Sequence, residues 1–444
     1  MSDEQDRRRA VAAQSIGPMI SVTIDSPNPD IGPQWDDLVR RASSNVFMNP
    51  TALMAADETG FASIQMLLAW EEGEGPRKLV GVWALQSRKA LPFWPRVLEA
   101  LPYNYAFLSS PVVDPAYADG VIAAFFAAIE KNPSLPKVVS LPSLDAECPS
   151  YPAMRKEMAS RGIEPLMLAE TARPFVTIEF GVKRSGSTRK KLRQDWNRLS
   201  ALGAVDVVND RTLDGAQRAF ECFLALEKAS WKGARGTALL SDPHDAAFVR
   251  RLFQNLAAQG NASVALLRVN GEVVSAQVLM YCGATAYTWK TAFDVNYGKY
   301  SPGALLIDKI TDGLFVGSDI RAINSCAIEA SFMGQLWAGR RAMVDMLLDI
   351  GPGKSLGYRI EAGRRLGYRR LRSWRERFRH WFAAAAEEIG HGFVSLSTKR
   401  LFTRIILAFG RFAPDCGGLP EQGVLQARGD SRPSVFPSGD SGAA

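Results

Sequence analysis

Histidine is nearly missing from this chain. There are three, His244, His380 and His391, with no HExxH and no second ligand at metal spacing. That excludes a histidine-built metal centre, and no metal is expected. Five cysteines, Cys148, Cys222, Cys282, Cys326 and Cys416, stand far apart with no CxxC pair. An odd, dispersed set argues against a disulfide framework and for a reducing cytoplasm. No run reaches the ~18 uninterrupted apolar residues that cross a bilayer. The opening MSDEQDRRRAVAAQ has arginines but no apolar segment after them, unlike a signal peptide. The aromatic signature of an RNA-recognition motif is also missing, which disfavours a general nucleic-acid module.

What is there is an ordinary folded composition at a two-domain length: 444 residues, 47% hydrophobic and 22% charged. The formal charge of +7 is uneven. Residues 351–411 hold 14 Lys and Arg against 4 Asp and Glu, or +10, which leaves the rest of the chain at −3. Within that tract KRLFTRIILAFGRF (399–412) puts Arg400, Arg404 and Arg411 on one side of a helix, opposite Leu401, Phe402, Ile405, Ile406, Phe409 and Phe412. Such a helix either makes a peripheral contact with an anionic membrane or docks on the body with its arginines in solvent. Residues 1–18 read as a disordered arm and 417–444, rich in Gly, Ser and Pro, as a disordered tail.

The second half has the clearer pattern. STRKKLRQDWNRLSAL (187–202) reads as a basic amphipathic helix closed by Gly203, followed by a strand at 204–208 and a helix over 213–230. Asp242-Pro243 opens a helix to about Ala258, with Asp as cap and Pro in the first turn. Strands at 263–269 and 272–281 meet through Asn270-Gly271, the strongest short hairpin signal. A strand over 284–293, a helix over 303–315, a strand at 321–326 and a helix over 333–349 complete it. The first half repeats this order: a strand at 20–24, helices at 34–42 and 50–57, strands at 64–70, 79–86 and 104–113, a helix at 116–130, a strand at 137–141, a helix at 151–161 and strands through 175–180. The basic linker GVKRSGS (181–187) marks the boundary. The expected organisation is therefore an α/β (α+β) chain of two tandem domains, 19–182 and 183–372, each a mixed, mostly antiparallel sheet flanked by helices. A basic helical extension follows at 373–416.

The order of elements, with WKTAFDVNYGKYSPGALLIDKI (289–310), RKKLRQDWNRLSALG, SWKGARG, RVNGEVVSAQV and SCAIEASFMGQLW, resembles the GNAT acyltransferase superfamily. It is most similar to the tandem branch of bacterial cellulose-biosynthesis CelD-like proteins, and more distantly to the aminoacyl-tRNA-dependent Fem transferases. The resemblance implies an N-acyltransferase that moves an acyl group from acetyl-CoA or another acyl-CoA to a small-molecule amine, such as an amino sugar or an envelope polysaccharide intermediate. The rivals it leaves are a Fem-like transferase and a non-catalytic, membrane-peripheral binding protein. The stretch NYGKYSPGA (296–304) lacks the second glycine of the superfamily's usual pyrophosphate loop.

A helix start carries unpaired N–H groups and a partial positive charge, so phosphates bind there if the backbone can approach. Ser301, Pro302, Gly303 and Ala304 would seat a cofactor diphosphate, with Lys299 and Tyr300 beside them; alternatively Ser caps and Pro-Gly merely punctuates. Tyr297 is a candidate proton donor to the leaving thiolate, and Asp294 and Glu329 are candidate bases for the amine. Asp294 reads first as a turn cap, and the alternative for Glu329 is a solvated loop carboxylate. Trp231, Trp289 and Lys290 are candidate substrate contacts, with Lys232 next to the first. Strict alternation puts Tyr287, Trp289 and Thr291 on one face of their strand and Thr288 and Lys290 on the other. Arg189, Lys190, Lys191, Arg193 and Arg198 either meet a phosphate-bearing partner or form a solvated helix face. Cys326 reads as an inert buried thiol.

Overall fold

The structure, a computed structural model, describes residues 19–90, 92–316 and 318–389. The expectations for 1–18 and for the tail, including the helix at 399–412, lie outside the described residues.

The first half runs β1 (Met19–Asp25), α1 (Gly32–Val39), α2 (Pro50–Glu58), β2 (Ile64–Glu72), β3 (Lys78–Lys89), β4 (Arg96–Glu99), β5 (Val112–Val113), α3 (Ala118–Lys131), β6 (Val138–Asp145), α4 (Ser150–Ser160) and β7 (Leu166–Thr177). The second runs α5 (Ser187–Ser200), β8 (Val205–Asp210), α6 (Leu213–Ala229), α7 (Pro243–Ala258), β9 (Ala262–Val269), β10 (Glu272–Cys282), β11 (Thr285–Phe293), α8 (Pro302–Phe315), β12 (Ala322–Asn324), α9 (Phe332–Leu336), β13 (Arg340–Asp349) and α10 (Leu356–Ile389). Local chemistry sets several of these boundaries. The Asp242 carboxylate accepts from the N–H groups of His244 and Asp245 at the start of α7. Asn270 and Gly271 take φ of 52° and 83° and join β9 to β10 in the tight turn that a two-residue hairpin needs.

All the strands belong to one continuous sheet, ordered β1-β2-β3-β4-β6-β13-β7-β12-β11-β10-β9-β8, with β5 paired to β3. Each half has one parallel pair in an otherwise antiparallel set. These are β4 with β6, through Leu98↔Val139 and Glu99↔Ser140, and β11 with β12, through Thr285↔Ala322 to Tyr287↔Asn324. The last strand of the chain leaves its own half: β13 inserts between β6 and β7, with Asp349↔Val138 on one side and Arg340↔Pro174 on the other. β7 is long enough to pair with β13 and then, through Phe175 to Thr177, with β12. One large core spans both halves, and α6 and α7 pack into it. A second core lies on the opposite face of the second half, under α5 and α8.

Two expected elements are corrected. The helix over 333–349 is a five-residue α9 followed by β13. Ala342, Met343, Met346, Leu347 and Leu348 favour helix intrinsically, but β13 is paired on both edges and its core-facing residues are fully buried. A central strand of this kind reads as a continuous apolar run and loses the alternation that would identify it. The strand over 104–113 is a buried connection with only Val112–Val113 paired; the true strand, β4, lies earlier. Side chains satisfy part of that connection's backbone: Asn45 Nδ2 donates to the Leu108 and Ser110 carbonyls, and Trp83 Nε1 to that of Ser109.

Because β13 completes the first half's sheet, the two halves should unfold together. Met346→Ala, at a fully buried position on β13, should cost about 2–5 kcal/mol and shift a single urea transition. Two separated transitions would show that the halves are independent.

Candidate active site

The site is built around β11. Its register against β10 shifts so that Thr288 faces Leu279 and Lys290 faces Val278, leaving Trp289 as the extra residue of a bulge. The bulge overturns the strict alternation expected for this strand. Tyr287 donates its hydroxyl to the Ser44 carbonyl (2.7 Å), Trp289 donates Nε1 to the Tyr105 carbonyl (2.9 Å), and the Lys290 ammonium sits 4.7 Å from the Tyr105 ring centre. All three therefore face the first half. Thr291 and Phe293 turn to the opposite side, toward Gly303.

The parallel pairing of β11 with β12 ends at Tyr287↔Asn324. The β12 chain then turns away through Cys326, at φ 49°, while the Thr288 hydroxyl donates to the Ser325 carbonyl (2.8 Å). Beyond that point β11 has an open edge. The Asp294 N–H donates to the Val274 carbonyl on β10 (2.9 Å), so alternation turns the main-chain groups of Thr291 and Phe293 outward. The Lys232 ammonium approaches the Thr291 carbonyl at 3.4 Å.

The connection to α8 is a 3-10 turn, Val295–Tyr300, capped by Asp294, whose carboxylate accepts from the Asn296 N–H (2.9 Å). Ser301 is held in the left-handed region (φ 52°, ψ 47°), and its hydroxyl does not cap the helix. Instead it is 3.0 Å from Lys191 Nζ, which donates to it. The Ala304 and Leu305 N–H groups return to the Ser301 carbonyl, Pro302 has no N–H, and among the described residues no side chain caps the helix start at Gly303. No acidic residue lies in this first turn. Cations gather instead: Arg198 and Lys299 lie 5.2 and 5.1 Å from the Tyr300 ring centre, and Tyr297 packs on Tyr300 at 6.4 Å. Helix α5 brings Lys191 and Arg198 here. It is fixed to α8 by the Arg189–Asp308 pair and by Lys309 over Trp196 (4.4 Å), and buried Asp195 orients both cations. Lys190 and Arg193 are exposed.

The first half has a similar approach to α3. Asp114, 5% exposed, caps the short 3-10 turn Pro115–Tyr117 through the Ala116 N–H (3.1 Å), as Asp294 does before α8, and accepts from Arg41 Nε (2.5 Å). The first turn of α3 differs in carrying an acidic residue, Asp119.

On the Tyr105 side of β11 lies a second polar group. Glu227, 1% exposed, accepts from Lys232 Nζ (2.8 Å) and the Leu239 N–H (2.9 Å). The Tyr105 hydroxyl donates to Asp245 (2.6 Å), and burial, then this carboxylate, pushes the phenol up. Burial lowers the Lys290 ammonium to about 8; Glu227 opposes the shift and Lys232 adds to it. Trp231 lies under Arg235 (4.9 Å). Glu329 is exposed and accepts from Arg340 Nε (3.1 Å). Cys326 is buried, its thiol pushed up to about 12 by desolvation. Thus Asp294, Tyr297 and residues 299–304 gather at the α8 start, and Trp289, Lys290 and Lys232 gather on the other face of β11. Sequence reasoning missed Glu227, Tyr105 and Asp245, whose roles depend on contacts between distant segments. Among the described residues no group of His, Cys, Asp and Glu could hold a metal ion, and no helix is long and apolar enough to cross a membrane.

Residues 186–319 match the family model described as "Acetyltransferase (GNAT) domain", which places a GNAT domain in the second half. No curated protein matches the chain. Among solved structures it is similar to FemX, at 11% identity over 73% of this chain and 96% of that one, with a TM-score of 0.50. It is also similar to L-PGS from Bacillus licheniformis (15% identity, 77% and 96% covered, TM-score 0.45) and to a tandem GNAT protein from the clavulanic acid biosynthesis pathway (12%, 75% and 99%, 0.41). The fold is that of two GNAT-like domains in tandem.

Lys290 should leave a signature in stability. Its folded value of about 8 lies below the ordinary 10.5. Between these the unfolded chain holds a proton that the folded one has released, so this group's contribution to stability rises with pH from about 8 to 10.5. The melting temperature of the wild type, relative to Lys290→Met, should rise from pH 8 to 10. A flat difference would mean that Lys290 titrates normally.

Proposed function

We propose that the second half transfers an acyl group from a CoA thioester to an amine. One observation carries this reading: the uncapped start of α8 sits at the open edge of β11 within a group of three cations, Lys191, Arg198 and Lys299. Asp195 offsets one of these three charges; the remaining positive charge and the helix dipole both favour an added anion. The Gly303 N–H and these side chains would hold the diphosphate. The outward main-chain groups of Thr291 and Phe293 would pair with the donor's amide arm, which brings the thioester toward the bulge.

The amine nitrogen then bonds to the thioester carbonyl carbon and the C–S bond breaks. An ammonium acceptor must first lose a proton. Asp294 is occupied as a cap and Glu329 as an ion pair, so Lys290, half neutral near pH 8, is the better acceptor of that proton. Tyr297 would return a proton to the thiolate. Trp231 and Lys232 would line the amine's approach, and the proposed acceptor class stays an amino sugar or envelope polysaccharide intermediate.

A second reading keeps the same seat but takes an aminoacyl-tRNA as donor. The exposed Lys190 and Arg193 on α5 favour it, because they extend the basic surface beyond the space of one diphosphate.

Calorimetric titration with CoA and acetyl-CoA separates the two. The wild type should bind CoA and Gly303→Trp should not. Gly303→Ala should retain binding, since the added methyl meets only Phe293 and Thr291, both at 3.8 Å. Lys191→Met should lose roughly tenfold in affinity, the worth of a charge-assisted hydrogen bond. In turnover, Lys290→Met should lose the acid limb near pH 8. Saturating CoA without effect on the wild type, together with salt-sensitive tRNA binding, would replace the first reading by the second.

A further inference from the structure

Helix α10 packs on the body by its polar side. Buried Glu361 accepts from Arg365 Nε (2.7 Å), Arg365 reaches Glu99 on β4 (3.4 Å), and Arg369 Nη1 donates to the Leu168 carbonyl on β7 (2.9 Å). Tyr358 and Ala362 join them against Val97, Val138 and Leu347. At 100° per residue, with Gly367 at zero, these contacts fall between about 120° and 220°. Leu356, Ile360, Leu371 and Trp374 fall within about 40° of Gly367, on the opposite side. All four are exposed, Leu356 at 74% and Trp374 at 56%. In sequence the same spacing continues at Phe378 and Trp381. A surface helix ordinarily buries its apolar stripe. Here the stripe faces water, and contiguous exposed apolar surface marks a contact site.

A second segment joins it. The turn between β3 and β4 carries Phe93, 100% exposed. Two residues on, Pro95 meets the start of α10: its Cβ lies 3.4 Å from where a side chain on Gly357 would begin. That contact brings Phe93 and Leu356 to one neighbourhood of the surface. Exposed Lys89 and Arg96 flank the turn.

Charge decides what covers this surface. Residues 359–374 hold six arginines against one glutamate, and that glutamate, Glu361, is buried and paired. Exposed Arg359, Arg370 and Arg377 follow one edge of the stripe. A second copy of α10 would set arginines against arginines. The segment 399–412, with four Lys and Arg and no acidic residue, would do the same. A nucleic acid answers the arginines but leaves Phe93 and the stripe in water. The headgroup layer of an anionic bilayer answers both, taking up Trp, Phe and Leu while its phosphates meet the cations.

We propose that the outward face of α10 and the neighbouring β3–β4 turn seat the protein on an anionic bilayer surface. The stripe and Phe93 enter the headgroup layer, and the arginines along the edge meet lipid phosphates. The helix lies on the membrane and does not cross it. This assignment stands apart from the acyl-transfer reading.

Co-sedimentation of the full chain tests it, with vesicles of phosphatidylcholine alone or mixed with about a third phosphatidylglycerol. The wild type should bind the mixed vesicles, more weakly as salt rises, and the neutral ones far less. Leu371→Gln/Trp374→Gln should lower the partition coefficient at least roughly tenfold, and Phe93→Ser should lower it in the same direction. Arg370→Gln/Arg377→Gln should lower it roughly fivefold for each arginine removed. These positions are exposed, so the melting temperatures should match that of the wild type. A wild type that ignores the mixed vesicles overturns the proposal. So does binding that all three variants retain, because the contact would then belong to another segment. Two further results overturn it when vesicle binding is absent. One is a wild-type dimer in sedimentation velocity that Leu371→Gln/Trp374→Gln dissociates. The other is tRNA binding lost in Arg370→Gln/Arg377→Gln but kept in the apolar variants.

Discussion

The pairing of β13 between β6 and β7 is the constraint on which the rest of the structure depends. A strand made late in the chain supplies both edges of its ladder to the first half. With that place filled, β7 is free over Phe175 to Thr177 to pair with β12, and this junction makes the two sheets one. β12 is then held between β7 and β11 by only three residue pairs on either side. A strand so short cannot follow β11 to its end, and so β11 has an open edge over its last turns of pleat. A backbone edge of unpaired groups is normally a liability in a sheet. Here it lies between a helix start and a bulge, where a ligand can use it.

The duplicated scaffold makes the asymmetry of the halves informative. Each has a parallel strand pair and a helix beginning nearby. In the first, Asp119 places a carboxylate in the first turn of that helix, while Asp114 caps the short turn before it as Asp294 does in the second half. In the second, Ser301 is turned into a left-handed conformation that withdraws its hydroxyl from capping and gives it to Lys191. Neither helix start has a side-chain cap, but the first half places an acidic residue against the unpaired N–H groups of its first turn and the second half places none. A non-glycine residue with positive φ at such a position is uncommon and carries strain.

Much of the second half was legible because its signals are local. Asp242-Pro243, Asn270-Gly271 and the Pro302-Gly303 step each fix backbone geometry through their own chemistry, and the elements they bound appear where those residues put them. The failures share one cause. RRAMVDMLLD has the intrinsic preferences of a helix, but two strands more than 160 residues upstream claim it. NYAFLSSPVV is apolar because it is buried between the halves, where side chains such as Asn45 and Trp83 take the place of ladder partners. The bulge at Trp289 has no local mark either; it is defined by β10, and it reverses the faces of every residue after it. Of the site, the α8 start could be read from sequence. Glu227, Tyr105 and Asp245 could not, since a buried carboxylate has meaning only through what lies across the fold from it.

The bulge also explains how one strand serves two chemistries. Without it, Lys290 would face the cation group at α8, and a further ammonium there would be unfavourable and strongly hydrated. The extra residue turns Lys290 to the Tyr105 side instead, into a drier place where desolvation favours its neutral form. The same shift brings Thr291 and Phe293 beside Gly303. In the proposed function a seat for negative charge and a lysine able to hold or release a proton thus flank a single open backbone edge on opposite faces. Transfer from an anionic donor to an amine requires this separation: fixed positive charge where the donor is held, and an unprotonated base where the nucleophile arrives. Placing both on one face would let the fixed cations depress the base further, or the donor's charge restore its proton.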